Sequence, residues 1–146
     1  MLLLEGALPS QIDNAIEAFG LNMGPFRMMD LIGLDLGWRA RKLAGVDSPL
    51  TNKIADTLCE NERFGQKNSK GFYNYSEGSR APNPAPENEE IYFKISEENG
   101  FTRREISDEE IVDRCILALV NEGAKILEEG VAQSCLLYTS DAADDC

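Results

Sequence analysis

The 146-residue chain contains no histidine. That absence removes the side chain most often used to move a proton near neutral pH, which is also the commonest metal ligand. No GxGxxG turn follows a strand-like run, so the chain offers no bed for a dinucleotide pyrophosphate. No apolar run approaches the roughly 20 residues of a membrane-spanning helix. The opening Met1-Leu2-Leu3-Leu4-Glu5-Gly6 lacks the positive flank and apolar length of an export signal, so a soluble protein of the cytoplasm or an organelle matrix is expected. Cys59, Cys115, Cys135 and Cys146 form no paired CxxC spacing. Reduced thiols are expected, with Cys59 and Cys115 as small buried apolar residues rather than nucleophiles. Cations are scarce as well: 14 Lys and Arg stand against 26 Asp and Glu, a net charge of -12. Attraction to nucleic acid or an anionic membrane is thereby excluded as a property of the whole surface.

What the chain does have is helical punctuation. Ser10 reads as an N-cap with Asp13 at the third helical position, and Ile12, Ala15, Ile16 and Phe19 form one apolar stripe stopped by Gly20. Pro25 opens a second helix carrying Phe26, Met29 and Ile32, which Gly33 ends. A third spans residues 36–44, between Asp35 and Gly45. A fourth begins with Ser48 as cap and Pro49 as first helical residue, and places Leu50, Ile54 and Leu58 on one side.

Gly65-Gln66-Lys67-Asn68-Ser69-Lys70-Gly71 then reads as a polar reversal pinned by Phe72, Tyr73 and Tyr75. Lys67, Lys70 and Arg63 are its local positive charge, either solvated or near a ligand phosphate or neighbouring domain. The glycine spacing and the order of Lys and Ser rule out a P-loop. Residues 76–90, with Pro82, Pro84 and Pro86, read as a linker or extended wrap, and Ile91–Ile95 as a short strand. Ser107 caps a long helix, with Glu110 in the reciprocal capping-box position. Its apolar face runs through Ile111, Cys115, Ala118 or Leu119, and Ile126 to a stop near Gly130. Gly123 inside that helix costs about 0.8 to 1 kcal/mol relative to alanine and suggests a close helix crossing or a ligand's approach.

Leu3-Leu4-Glu5-Gly6-Ala7 is echoed by Leu127-Glu128-Glu129-Gly130-Val131, which suggests a duplicated helical unit whose first copy starts late in a helix. The motifs Glu5-Gly6-Ala7-Leu8-Pro9-Ser10-Gln11-Ile12-Asp13, Phe19-Gly20, and Met23-Gly24-Pro25-Phe26-Arg27-Met28-Met29-Asp30-Leu31-Ile32-Gly33-Leu34-Asp35 follow in order. Next come Arg63-Phe64-Gly65-Gln66-Lys67-Asn68-Ser69-Lys70-Gly71-Phe72-Tyr73-Asn74-Tyr75 and Glu110-Ile111-Val112-Asp113-Arg114. Ala118-Leu119-Val120-Asn121-Glu122-Gly123-Ala124 completes the series. Together they resemble the C-terminal domain of the 3-hydroxyacyl-CoA dehydrogenase family, above all its multifunctional fatty acid β-oxidation members.

That resemblance implies an all-α fold, the 6-phosphogluconate-dehydrogenase-like C-terminal helical domain, incomplete and with an extended linker. Residues 1–75 would form a first helical unit with a truncated start, 76–106 an acidic proline-containing linker, and 107–133 the start of a second unit. Residues 134–146 depart from the family and read as an atypical tail, non-native or disordered. The implied activity of the parent is NAD-dependent oxidation of (S)-3-hydroxyacyl-CoA to 3-ketoacyl-CoA. NAD and the catalytic histidine and glutamate would belong to a preceding Rossmann domain, itself preceded by a hydratase domain. This chain would supply substrate-side and subunit or pseudo-dimer contacts, including those of a homo-oligomer.

Accordingly, no residue here is assigned as catalytic, cofactor-binding or metal-ligating. The family's substrate-helix asparagine would fall before Met1, and Asn14, Asn22 and Asn121 are not put in its place. Asp13, Asp30 and Asp35 read as caps or local acceptors, with Asp30 the reserve candidate for an interdomain contact. Phe26, Met28 and Met29 read as core or as the lining of an acyl tunnel. The location expected first is bacterial cytoplasm, with the peroxisomal or mitochondrial matrix for a eukaryote. The competing readings are a non-catalytic helical oligomerisation or acyl-CoA-binding module and a different NAD-dependent hydroxyacid dehydrogenase.

Overall fold

Proline starts two of the helices of the first half and directly precedes a third, and glycine stops most of them. In the computed structural model, which describes residues 1–129, α1 spans Leu2–Glu5, α2 Pro9–Phe19, α3 Pro25–Ile32, α4 Asp35–Ala44 and α5 Leu50–Glu60. Pro9 and Pro25 each occupy the first turn, where the missing N–H breaks no internal hydrogen bond. Gly20 (φ 128°) and Gly33 (φ 103°) supply the positive-φ stops after α2 and α3.

Two expected caps lie elsewhere. Ser10 sits inside α2, because Pro9 takes the first helical position and the extended Leu8 precedes it without a side-chain cap. Pro49 is itself the extended residue before α5, so helix begins at Leu50 and Ser48 does not cap it. In both places proline's fixed φ decides the boundary, two residues before the position the serine suggests for α2 and one residue after it for α5.

The polar reversal contains a 3-10 turn, Gln66–Asn68, closed by bridges from Lys70 to Gly65 and Asn74. Strands β1 (Asn74–Tyr75) and β2 (Pro82–Asn83) then pair antiparallel, with Asn74 opposite Asn83. A second 3-10 turn, Pro86–Asn88, leads into α6 (Glu89–Glu98). The strand expected at Ile91–Ile95 is therefore helix. Glu89 and Glu90 suit a helix N-terminus, and Tyr92, Ile95 and Ser96 fall on one helical face that is buried. Finally α7 (Asp108–Glu128) starts as expected, with the Ser107 hydroxyl accepting from the Glu110 N–H at 3.2 Å. Glu110 does not complete the reciprocal bond; its carboxylate is held by Arg104 and Arg114. The stop near Gly130 and the tail at 134–146 lie outside the described residues.

Leu3, Leu4, Ile12, Ile16, Leu58, Tyr92, Ile95 and Ile111 form the heart of the core. The molecule is thus almost entirely helical, with α7 laid against α2 and α6 against α1 and α5. The carbonyls that end α1, which have no partner within their own helix, are taken up by the later chain. Ser96 Oγ donates to Leu4 O at 2.6 Å, Arg103 Nη1 to Leu3 O at 2.8 Å, and the Arg104 N–H to Glu5 O at 2.8 Å. The segment expected to be a linker is in this way bound to the first helix. Arg114 adds a bidentate pair to Glu5 at 2.7 and 2.6 Å, and that pairing holds the Glu5 carboxyl below its ordinary range.

Candidate functional site

Two buried carboxylates organise the part of the fold that carries the quoted motifs. Asp13, on α2, accepts the Phe26 N–H at 2.9 Å, the Arg27 N–H at 3.0 Å and the Tyr73 hydroxyl at 2.6 Å. It thus caps α3 from a neighbouring helix, satisfying two of the donors left free at that terminus. Asp30, near the end of α3, accepts the Phe72 N–H at 2.9 Å, the Tyr73 N–H at 3.0 Å and the Tyr75 hydroxyl at 2.9 Å. Both side chains are buried. Burial pushes each carboxyl above its ordinary pKa, although the three donors pull the other way. The phenols of Tyr73 and Tyr75 are raised too, mainly by burial and then by the neighbouring carboxylates.

Each carboxylate needs a glycine beside it. A Cβ on Gly24 would collide with the Asp13 side chain, and one on Gly71 with the Asp30 carboxylate. Asp30 therefore serves the interior of this unit, and its burial removes it as a reserve candidate for an interdomain contact.

The cations of the reversal also have internal duties. Arg63 is buried, donating to Gly71 O at 2.9 Å, Asn74 Oδ1 at 2.8 Å and Glu87 Oε1 at 3.1 Å. Lys67 pairs with Asp35, which also meets Arg39 at 3.2 Å, and the Lys67 hydrogen bond holds the Asp35 carboxyl below its ordinary range. Lys70 remains exposed. The expected cluster of three basic side chains is thus divided among separate partners.

Beside this framework lies an apolar cleft of about 450 Å³ between α1, α3, α5 and α7. Its walls include Leu4, Ile12, Phe26, Met29, Ile54 and Phe72, with Arg114 and Cys115 also on its lining. The Asp13 and Asp30 bonds position it, because they fix the two ends of α3 and the start of the Phe72 segment. Phe26 meets Phe72 edge-on, ring centroids 4.7 Å apart, so it is both core and wall. Met29 is 44% exposed and Met28 46%. Met29 lines the cleft, whereas Met28 is not among its walls.

Sequence reasoning brought Phe26 and Met29 to such a site. It did not foresee Phe72, Leu4 and Ile54 beside them, which the chain reversals assemble. The cleft suits an apolar chain and contains no acid–base pair. Cys59 is buried away from it with its thiol pushed up to about 11, chiefly by burial, and burial likewise raises the Cys115 thiol. Neither environment activates a nucleophile.

Asn14, Asn22 and Asn121 are exposed and lie outside the cleft. No group of three or more His, Cys, Asp or Glu among the described residues could hold a metal ion. The described residues do not fit NAD either. The two short strands are antiparallel, and neither runs through a glycine-rich turn into a helix start.

Comparison with known proteins agrees with the order of these motifs. Residues 1–75 match the family model of the 3-hydroxyacyl-CoA dehydrogenase C-terminal domain. The peroxisomal bifunctional enzyme of Danio rerio is 41% identical over 146 residues, covering 90% of this chain and 20% of the relative. Its Homo sapiens counterpart is 40% identical over 148 residues, covering 91% of this chain and 20% of that protein. Among solved structures, the dehydrogenase part of multifunctional enzyme 1 from C. elegans superposes with a TM-score of 0.73 at 30% identity. That match covers 89% of this chain and 29% of the C. elegans chain. The chain thus spans about a fifth of the length of these curated relatives.

Proposed function

Because the chain belongs to the family of 3-hydroxyacyl-CoA dehydrogenase C-terminal domains, we propose that it is the substrate-side part of an NAD-dependent enzyme. That enzyme oxidises (S)-3-hydroxyacyl-CoA to 3-ketoacyl-CoA in fatty acid β-oxidation. The observation that carries this reading is the apolar cleft walled by Phe26, Met29 and Phe72, which accepts an acyl chain by burying its methylenes at about 0.8 kcal/mol each. NAD and the histidine–glutamate pair belong to an upstream Rossmann domain, with a hydratase domain before it. This chain supplies no catalytic residue.

In this reading residues 1–75 are the first helical unit, 76–106 the connection and 107–133 the opening of a second. Exposed Leu117 and Val120 on α7 supply a subunit or pseudo-dimer contact. The same exposed face favours the second reading, a non-catalytic oligomerisation module. The peroxisomal names of the curated relatives favour a peroxisomal location for this protein, the eukaryotic branch of the expectation.

Calorimetric titration of the full chain with 3-hydroxyacyl-CoAs of increasing acyl length tests the reading. Affinity should rise with chain length and fall in Met29→Trp, whose indole fills the cleft from a partly exposed position. Length-independent binding, or none, refutes the acyl assignment and leaves the oligomerisation module.

A further inference from the structure

On the other side of α3 an open groove of about 430 Å³ runs between the 3-10 turn at Gln66–Asn68 and the turn after β1. Met29 lines the apolar cleft and Leu31 this groove. Two residues of helix correspond to a rotation of about 200°, so the sites flank one helix. The groove is walled by Gln66, Lys67, Ser69, Ser76, Ser79 and Arg80, and no carboxylate is among the described residues lining it. In a chain with 26 acids and a net charge of -12, that is a marked local segregation of charge.

Two of its donors are also uncommitted. Arg80 is exposed and has no ion pair or hydrogen bond among the described residues. Ser79 Oγ accepts the Ala81 N–H at 3.1 Å, which leaves its proton free to donate. Lys67 and Arg39 share Asp35, so this neighbouring trio keeps an excess positive charge. Ser69 (φ 64°) and Gly78 (φ 76°) adopt the left-handed backbone that shapes the two turns. A guanidinium, an ammonium and several hydroxyls around a carboxylate-free groove match the oxygens of a phosphate group.

We propose that this groove binds the phosphate groups at the nucleotide end of a CoA thioester, an assignment that rests on the acyl reading of the cleft. The pantetheine arm then crosses the exposed face of α3, past Met28 and Ile32, a span comparable to the helix diameter of about 10 Å. The chemistry recognised is a phosphate ester. A free phosphate ion shares that chemistry, and the probes below separate the two sources.

The full chain is titrated calorimetrically with adenosine 3′,5′-bisphosphate, inorganic phosphate, and a 3-hydroxyacyl-pantetheine that lacks phosphate. Arg80→Glu should weaken adenosine 3′,5′-bisphosphate about tenfold or more, as loss of a charge-assisted contact implies. It should leave the acyl-pantetheine affinity unchanged, and Ser79→Ala should give a smaller loss in the same direction. Equal bisphosphate affinity in wild type and Arg80→Glu, or no bisphosphate binding, overturns the groove assignment. Inorganic phosphate binding as tightly as the bisphosphate overturns the CoA source. Arg80-dependent bisphosphate binding without acyl-pantetheine binding supports the groove and refutes the cleft reading instead. Because Arg80 is exposed and has no partner among the described residues, its substitution should leave the far-UV dichroism unchanged.

Discussion

Replacing Asp30 with asparagine keeps the side-chain volume and removes one of the two carboxylate oxygens that receive the Phe72 N–H, the Tyr73 N–H and the Tyr75 hydroxyl. The amide retains one acceptor and turns an NH₂ toward a backbone N–H, which cannot accept from it, and the Tyr75 hydroxyl, which can accept only by turning its own proton away. A buried donor left unsatisfied costs about 1–3 kcal/mol, and hydrogen bonds to a charged partner contribute about 1.5–3 kcal/mol. The expected loss is therefore about 2–4 kcal/mol, a large share of the roughly 5–15 kcal/mol that stabilises a domain. Urea denaturation followed by circular dichroism measures it as a lowered midpoint at unchanged slope. Tyr75→Phe removes a single donor and should cost about 1–2 kcal/mol. The double variant should lose less than the sum of the two, because one shared bond is counted in both. A loss under about 1 kcal/mol for Asp30→Asn, or strict additivity with Tyr75→Phe, would refute the view that this carboxylate holds α3 to the Phe72–Tyr75 segment.

Gly71→Ala should destabilise by about 1–3 kcal/mol, since the added methyl meets the Asp30 carboxylate; thermal melts check it, and a neutral change would contradict the close approach. Tyr92→Phe should be neutral or slightly stabilising, because the Tyr92 hydroxyl is buried without a hydrogen-bond partner among the described residues; a loss above about 1 kcal/mol in the same melts would reveal a partner. In pH-dependent melts, stability should peak on the acid side of neutrality. Asp13 and Asp30 have raised folded pKa values, so the folded state binds more protons and stability falls as pH rises through that window. Glu5, Asp35, Asp56 and Glu87 are depressed, so their contribution is lost as pH drops below the ordinary carboxylate range of about 4. A melting temperature that falls steadily from neutral pH down to about 5 would contradict this balance.

The first-half helices were legible because proline and glycine act locally, through φ and the missing N–H. Even so, Ser10 misled by two residues and Ser48 by one, since a cap can be read only when the proline beside it is placed first. Residues 91–95 were ambiguous for another reason: over five residues an alternating and a helical pattern look alike. What settles them as helix is burial of Tyr92, Ile95 and Ser96 against α1 and α5. Asp13 and Asp30 were readable as acceptors, but their tyrosine partners lie 60 and 45 residues away in sequence. Gly24 and Gly71 were the available signal, since each sits where only hydrogen leaves room for a carboxylate. Arg63 read as solvated or as facing a ligand phosphate or a neighbouring domain, because charge is ordinarily exposed. Its burial depends on Gly71 O and Asn74, which the reversal brings to it.

The most direct trial is a spectrophotometric assay of NADH formation from a 3-hydroxyacyl-CoA, run with the full chain alone and again with the separately expressed Rossmann part of a curated relative. Turnover is expected only in the mixture, and it should be lost when Met29→Trp blocks the cleft. Sustained NAD reduction by the chain alone would mean that these residues move the hydrogens themselves, contrary to the division of labour proposed here.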